Sequence, residues 1–230
     1  MAIFNAQGVL EAPPKAASPL NDRRVEQVIE RMIDGYRRPS NGGPRSNGGP
    51  RSSEKYDPHA YSQFGFSIHP DQGELIYLLC RALNACRVVD FATSVGFSTL
   101  YLAAAVRDNG GGRVIGAEIV PAKIATARQN LAAAGLSDFV EIRAGDARAT
   151  LRDLGGPIDF ALIDGWPGGQ GPSLSLEVMR IVTPQLRPGA LVLNDNAESD
   201  YLAFVRDPAN GFRSMSLPLK GGTELSVKAS

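Results

Sequence analysis

An α/β fold with a doubly wound sheet is what this sequence predicts, and three observations carry it. Near the middle, Arg87-Val-Val-Asp-Phe-Ala-Thr-Ser-Val-Gly-Phe-Ser-Thr99 runs from β-branched residues through an acid and a small-residue loop into the helical Leu100-Tyr-Leu-Ala-Ala-Ala-Val106. Beyond it, short apolar strand patterns alternate with helical ones as far as Asn196, the alternation that builds a parallel sheet. The chain then closes on two strand patterns, Phe212 to Leu219 and Glu224 to Val227, around Lys220-Gly-Gly222, a hairpin signal. Together they predict a Rossmann-like sheet of seven strands, mostly parallel, with an antiparallel C-terminal hairpin at one edge.

At 230 residues, with 43% hydrophobic and 21% charged, the chain can bury one sizeable core. Residues 1–56 read as an N-terminal arm and 57–230 as the domain. Lys plus Arg and Asp plus Glu each number 24. No net field therefore draws nucleic acid or an anionic membrane, and a small molecule is the expected partner. Cys80 and Cys86 are the only cysteines; the first falls in an apolar helix pattern, which predicts buried free thiols in a reducing cytoplasm rather than a disulfide. The N-terminus lacks the pattern of a signal peptide and no 18-residue apolar stretch occurs, so a soluble, cytoplasmic protein is expected.

In chain order, Pro13, Pro14 and Pro19 among small residues predict a loosely held tail over 1–20. Asn21 or Asp22 caps a helix reaching Arg37, with Val25, Val28, Ile29, Met32 and Ile33 on one stripe, the mark of core or of a contact in a homodimer. Residues 40–51 read Ser-Asn-Gly-Gly-Pro-Arg twice, a flexible linker by composition. Pro70 opens a helix whose apolar face is Leu75, Leu78, Leu79 and Leu83. Pro121 opens another, with Ile124, Ala127, Leu131 and Ala134 on one face and Gly135 closing it. Residues 139–143, 157–164 and 189–196 read as strands, with Leu174 to Val182 as the helix between the last two.

The strand ends hold the candidate chemistry. Small residues from Ala92 to Gly96 let a ligand approach backbone, and the first turn of the next helix favours an anionic group. Only Gly96 of the dinucleotide fingerprint G-x-G-x-x-G is present, which disfavours a nicotinamide cofactor. Glu118 ends the next strand 118 − 96 = 22 positions past Gly96, near the roughly 20 expected of an acid that accepts ribose hydroxyls. At an exposed strand end it is expected to support no core. Asp146 either accepts from an adenine amino group or caps the helix that follows. Asp164, Asp195 and Asn196 end neighbouring strands, either as hard oxygen ligands suited to Mg²⁺ or, for the Asp-Asn pair, as turn formers. His69 before Pro70 is either a general base or a surface residue.

These motifs, in this order over residues 60–229, resemble the small S-adenosylmethionine (SAM) dependent O-methyltransferases that include catechol and caffeoyl-CoA O-methyltransferases. Ser67-Ile-His-Pro-Asp-Gln-Gly73 is similar to that family's pre-motif segment, Asp90 to Thr99 to its first motif, Ile163-Asp-Gly-Trp166 to its fourth-strand motif, and Asp195-Asn196 to its metal pair. The resemblance implies SAM as cofactor, with Ile68, Asp90, Ala92, Thr93, Ser94 and Gly96 around it and Ser98 bonding its carboxylate. It further implies Glu118 on the ribose, Ile119, Asp146, Ala147 and Trp166 at the adenine, and Asp164 among the residues that bind the cofactor. Asp164, Asp195 and Asn196 would hold Mg²⁺ or another divalent cation that positions a hydroxylated acceptor and acidifies it. One departure stands out: the catechol enzymes' pattern has a lysine after the tryptophan as general base, and here that position is Pro167.

Overall fold

The computed structural model describes residues 3–4, 10–11, 17–37, 57–62, 68–165, 171–220 and 222–229; the linker read at 40–51, Trp166 and Pro167 lie outside them. The elements in order are β1 (Ile3–Phe4), β2 (Leu10–Glu11), α1 (Arg23–Arg37), α2 (Pro70–Ala82), β3 (Arg87–Phe91), α3 (Phe97–Asp108), β4 (Arg113–Glu118), α4 (Pro121–Ala134), β5 (Val140–Ala144), α5 (Ala147–Thr150), β6 (Ile158–Ile163), α6 (Leu174–Val182), β7 (Leu186–Asn194), α7 (Ser199–Arg206), β8 (Phe212–Leu217) and β9 (Thr223–Lys228).

Seven strands form one sheet in the order β5-β4-β3-β6-β7-β9-β8. Strands β5 to β7 run parallel, and β9 pairs antiparallel with both β7 and β8. Val89 lies opposite Ile115 on one side and Ala161 on the other. Successive residues feed opposite faces. Val88, Phe160 and Leu162 join a core under α1 to α3, whereas Val89, Ala161 and Ile163 join one with residues of α5, α6 and α7. Covering on both faces is what continuous Val/Ile/Leu strands require. The winding reverses between β3 and β6, and ligands of open α/β sheets bind at the carboxyl ends beside such a reversal.

Asp22 is the cap of α1, its Oδ1 accepting from Arg24 N at 2.9 Å and Val25 N at 3.2 Å. The stripe Val25, Val28 and Ile29 is buried in the cluster that holds Val88 and Leu100, so it is core of this chain. Helix α2 departs from expectation. It buries Gln72, Gly73, Ile76, Tyr77 and Cys80, while Leu75, Leu79 and Leu83 are half-buried against the same core and Leu78 is 52% exposed. The reason is the close crossing of α2 and α3: a Cβ added at Gly73 would come within 2.4 Å of Tyr101 Cε2. A leucine at the crossing point would hold the two helices apart, so the face that carries Gly73 turns inward. Cys86 is also corrected, from buried to exposed, because it sits in the turn before β3; Cys80 is buried and both are free. Among the described residues no helix is long and apolar enough to cross a membrane.

Candidate functional site

The carboxyl edge is assembled from the ends of β3, β4, β6 and β7. Asp90 is fully buried near the end of β3, and its carboxylate accepts from Thr99 Oγ1 at 2.5 Å and from Ser98 Oγ at 3.0 and 3.2 Å. It thus sits behind the loop and fixes the first turn of α3. Burial lifts this carboxyl to about 6, while the Thr99 and Ser98 hydroxyls pull the other way. Ser98 spends its hydroxyl proton on Asp90, so donation to a cofactor carboxylate, as the resemblance implies, would require leaving it.

The loop after β3 takes left-handed backbone at Ala92 (φ 66°), Ser94 (φ 51°) and Gly96 (φ 87°). Each non-glycine in that region costs about 1–2 kcal/mol, strain that concentrates where a ligand is held. Gly96 is required twice over, since an added Cβ would also meet Ala127 Cβ at 3.2 Å. Thr93 is buried, its N–H donating to Ala117 O at 3.1 Å and its hydroxyl to Asp90 O at 3.2 Å. Ser94 Oγ is buried without a hydrogen-bond partner, in a loop built from strained backbone. An orphaned hydroxyl there fits a polar ligand group.

Glu118 corrects an expectation. It is buried rather than exposed, and its carboxylate accepts three backbone N–H groups, from Ser94 on Oε2 and from Ile119 and Val120 on Oε1, each at 2.8 Å. It therefore ties the β3–α3 loop to the start of α4. Oε2 accepts a single one of these bonds, leaving acceptor capacity for a hydroxyl. Ile119 beside it is 40% exposed, one of three exposed large hydrophobics among the described residues. Asp146 does cap α5, accepting from Arg148 N at 2.8 Å, and the Arg148 guanidinium hydrogen-bonded to it lowers its carboxyl. Ala147 and Ile68 are buried.

At the other half of the edge, Asn196 Nδ2 lies 3.3 Å from Asp164 Oδ1 and 3.2 Å from Asp195 Oδ2. Asp195 N donates to Ile163 O at 3.0 Å and Asn194 Nδ2 to the same oxygen at 2.9 Å, locking the ends of β6 and β7 together. Burial, then the Asp195 charge, push the Asp164 carboxyl well up. Two carboxylates and an amide held this way suit a hard cation. Among the described residues no group of three or more His, Cys, Asp or Glu side chains could hold a metal ion, so the set depends on Asn196 as its third member. His69 is exposed ahead of α2. Its main chain is the part joined to the site: His69 N donates to Gln72 Oε1 at 2.7 Å, and Gln72 Nε2 donates to Asp195 Oδ1 at 2.9 Å.

The family profile described as a methyltransferase domain matches residues 91–197, the span that runs from the end of β3 past the Asp195-Asn196 pair. The matched residues are therefore similar to a methyltransferase domain. A catechol O-methyltransferase of Niastella koreensis is 33% identical over 138 residues, 58% of this chain and 59% of that protein. One of Mycobacterium tuberculosis is 40% identical over 99 residues, 43% and 44% of the two chains. The chain thus spans about half the length of the curated relatives it matches. The chain's fold is also similar to that of an O-methyltransferase from Bacillus cereus in complex with SAH, with a TM-score of 0.62, 20% identity and coverage of 89% and 91%.

Two residues of this edge were missed from sequence. Gln72 was read only as part of the segment Ser67–Gly73, with no role of its own. Lys220 was read only as part of a Lys-Gly-Gly turn; in the structure its Nζ is hydrogen-bonded to Asp195 Oδ2.

Proposed function

We propose that this chain is a SAM-dependent O-methyltransferase acting on a small hydroxylated, catechol-like acceptor with the help of a divalent cation. The observation that carries the reading is the meeting, at one sheet edge, of the strained loop 92–96 and Glu118 with Asp164, Asp195 and Asn196. The named relatives support the same class of reaction. SAM, when bound, supplies a methyl group on a positively charged sulfur, and a divalent cation such as Mg²⁺, when bound, draws and acidifies a hydroxyl.

The chain's own residues do the positioning. Ser94 Oγ offers an unspent hydroxyl, Glu118 Oε2 a further acceptor for a ribose hydroxyl, and Ile119 an apolar surface for the adenine ring. Asp90 acts at one remove, by holding Ser98 and Thr99 at the start of α3. Asp164, Asp195 and Asn196 would hold the cation beside the acceptor oxygen, so that attack is aligned rather than diffusional. Balanced charge favours a small-molecule acceptor over nucleic acid, and two free cysteines favour action in the cytoplasm.

Methyl transfer from labelled SAM to a panel of catechols, with and without EDTA, together with calorimetric titration of SAM, tests the reading. Binding of SAM and chelator-sensitive transfer are expected; the absence of any heat with SAM would remove it. Pro167, where the resembling enzymes carry a lysine, favours a second reading, a SAM-binding protein without catalysis. That reading predicts SAM heat without transfer.

A further inference from the structure

Asp195 is 1% exposed and both of its oxygens already have donors. Oδ1 accepts from Gln72 Nε2 at 2.9 Å; Oδ2 accepts from Asn196 Nδ2 at 3.2 Å and from Lys220 Nζ. Lys220 arrives from a different part of the chain, the turn between β8 and β9, in left-handed backbone (φ 47°). The turn is itself fastened to the loop behind the carboxylates: Ala197 N donates to Gly222 O at 3.2 Å, and Gly222 N to Leu219 O at 3.2 Å. The carboxylate pair therefore carries a cation of its own, built into the hairpin.

We propose that Lys220 is the resident counter-ion of the Asp164–Asp195 pair and that a divalent cation binds there only by displacing its ammonium group from Asp195. The proposal rests on the reading of Asp164, Asp195 and Asn196 as a cation site. Two charges of like sign cannot share one carboxylate oxygen without strong repulsion, which at a few ångströms and partial burial amounts to several-fold to many-fold in affinity. Of the donors on Asp195, Gln72 cannot yield. It is 0% exposed and is pinned a second time by Thr223 Oγ1 at 2.8 Å and a third by His69 N at 2.7 Å. Asn196 is the cation site's own third member and can turn its amide oxygen inward. Lys220 is the donor that can leave, because its head group ends a long flexible stem and its side chain is 23% exposed. Occupancy of the cation site is thereby set against the hairpin turn: a bound ion releases Lys220, and Lys220 in place keeps the ion's affinity low.

The test is calorimetric titration of Mn²⁺ alone into the full chain, its Lys220→Met variant and the double variant Lys220→Met, Asp164→Asn. Lys220→Met is expected to bind at least tenfold more tightly than the parent, and the double variant to lose that gain. Equal or weaker affinity in Lys220→Met, with the parent binding normally, would overturn the competition while leaving the cation site standing. No binding by parent or variant, or binding indifferent to Asp164→Asn, would overturn the cation site and the proposal with it. A second measurement uses the parent chain and covers a Lys220→Met that fails to fold: acetylation of Lys220, mapped by peptide mass, should speed up at least threefold on saturation with Mn²⁺. An unchanged rate with the ion bound would overturn the proposal.

Discussion

Gln72 Nε2 donates to Asp195 Oδ1 at 2.9 Å, joining the first turn of α2 to the end of β7 across 123 positions. The same amide reaches Thr223 Oγ1 at 2.8 Å, and its oxygen takes His69 N at 2.7 Å. One buried side chain thus sets where the pre-strand segment, the hairpin and the Asp-Asn pair lie relative to one another. Gln72→Leu keeps the volume and removes all three bonds. Leaving His69 N–H and Asp195 Oδ1 short of a partner should cost about 2–4 kcal/mol, a fall in Tm of about 5–15 °C for a chain of this size. A melt within 2 °C of the parent would show that the network carries no stability.

Glu118→Ala should weaken SAM binding by about 1–3 kcal/mol and, unlike a residue at an open strand end, should also destabilise the fold by about 2–3 kcal/mol. The second effect follows from the three N–H groups of Ser94, Ile119 and Val120 that it satisfies. Glu118→Gln keeps one acceptor oxygen and should recover part of the stability. Denaturant unfolding and SAM titration on both variants separate the roles; equal stability of Glu118→Ala and parent would return the residue to a purely binding part.

The difference between those two expectations marks how far the sequence could be read. The alternation of strands and helices, the hairpin and the acids at strand ends were legible because each is a local pattern: β-branched runs, turn glycines, an acid 22 positions past Gly96. The face of α2 was legible only in part: Leu75, Leu79 and Leu83 do pack against the core, but the centre of the buried face is set by smallness at Gly73 and one amide at Gln72, which a count of leucines passes over. The inward turn of Glu118 was not legible, because backbone N–H groups that converge on a carboxylate leave no trace in residue types. Lys220 escaped for the same reason. Its partner is 25 residues away on another strand, and a Lys-Gly-Gly turn reads alike whether its lysine faces solvent or an aspartate.

Asp90 gives a pH dependence whose sign is fixed. Burial raises its folded carboxyl to about 6 from an ordinary value near 4, so between those limits the folded chain holds a proton that the unfolded chain has released. Its contribution favours folding below about pH 4 and is lost as pH rises through about 6, roughly 3 kcal/mol in all. Asp90→Asn has no proton to lose. Relative to the parent, its stability in urea should therefore improve between pH 4 and pH 7 and level off above that; a constant difference across this window would mean the carboxyl titrates normally.

Asp164→Asn is the cleanest substitution for the cation site. Removing Asp195 would take the carboxylate from Lys220 and break the Gln72 bond, so loss of activity there would say little about a metal. Asp164 carries less of that burden: its side chain meets Asn196 Nδ2 at 3.3 Å, and burial with the Asp195 charge already disfavours its ionised form. An acid whose carboxyl is raised on folding costs stability once pH exceeds its unfolded value near 4, so a neutral isostere should leave the fold at pH 7 as stable or more so. The parent, given Mn²⁺ at a hundred times its Kd, should gain about 2.7 kcal/mol, or about 5–11 °C in Tm. In Asp164→Asn most of that gain should vanish, transfer to a catechol should fall by at least a hundredfold, and SAM affinity should stay within about twofold, because the amide keeps the side chain's bulk and Ser94, Glu118 and Ile119 lie at the ends of β3 and β4. Transfer and metal-dependent Tm that both survive Asp164→Asn would make the acid structural, and would move the activation of the acceptor elsewhere on the edge.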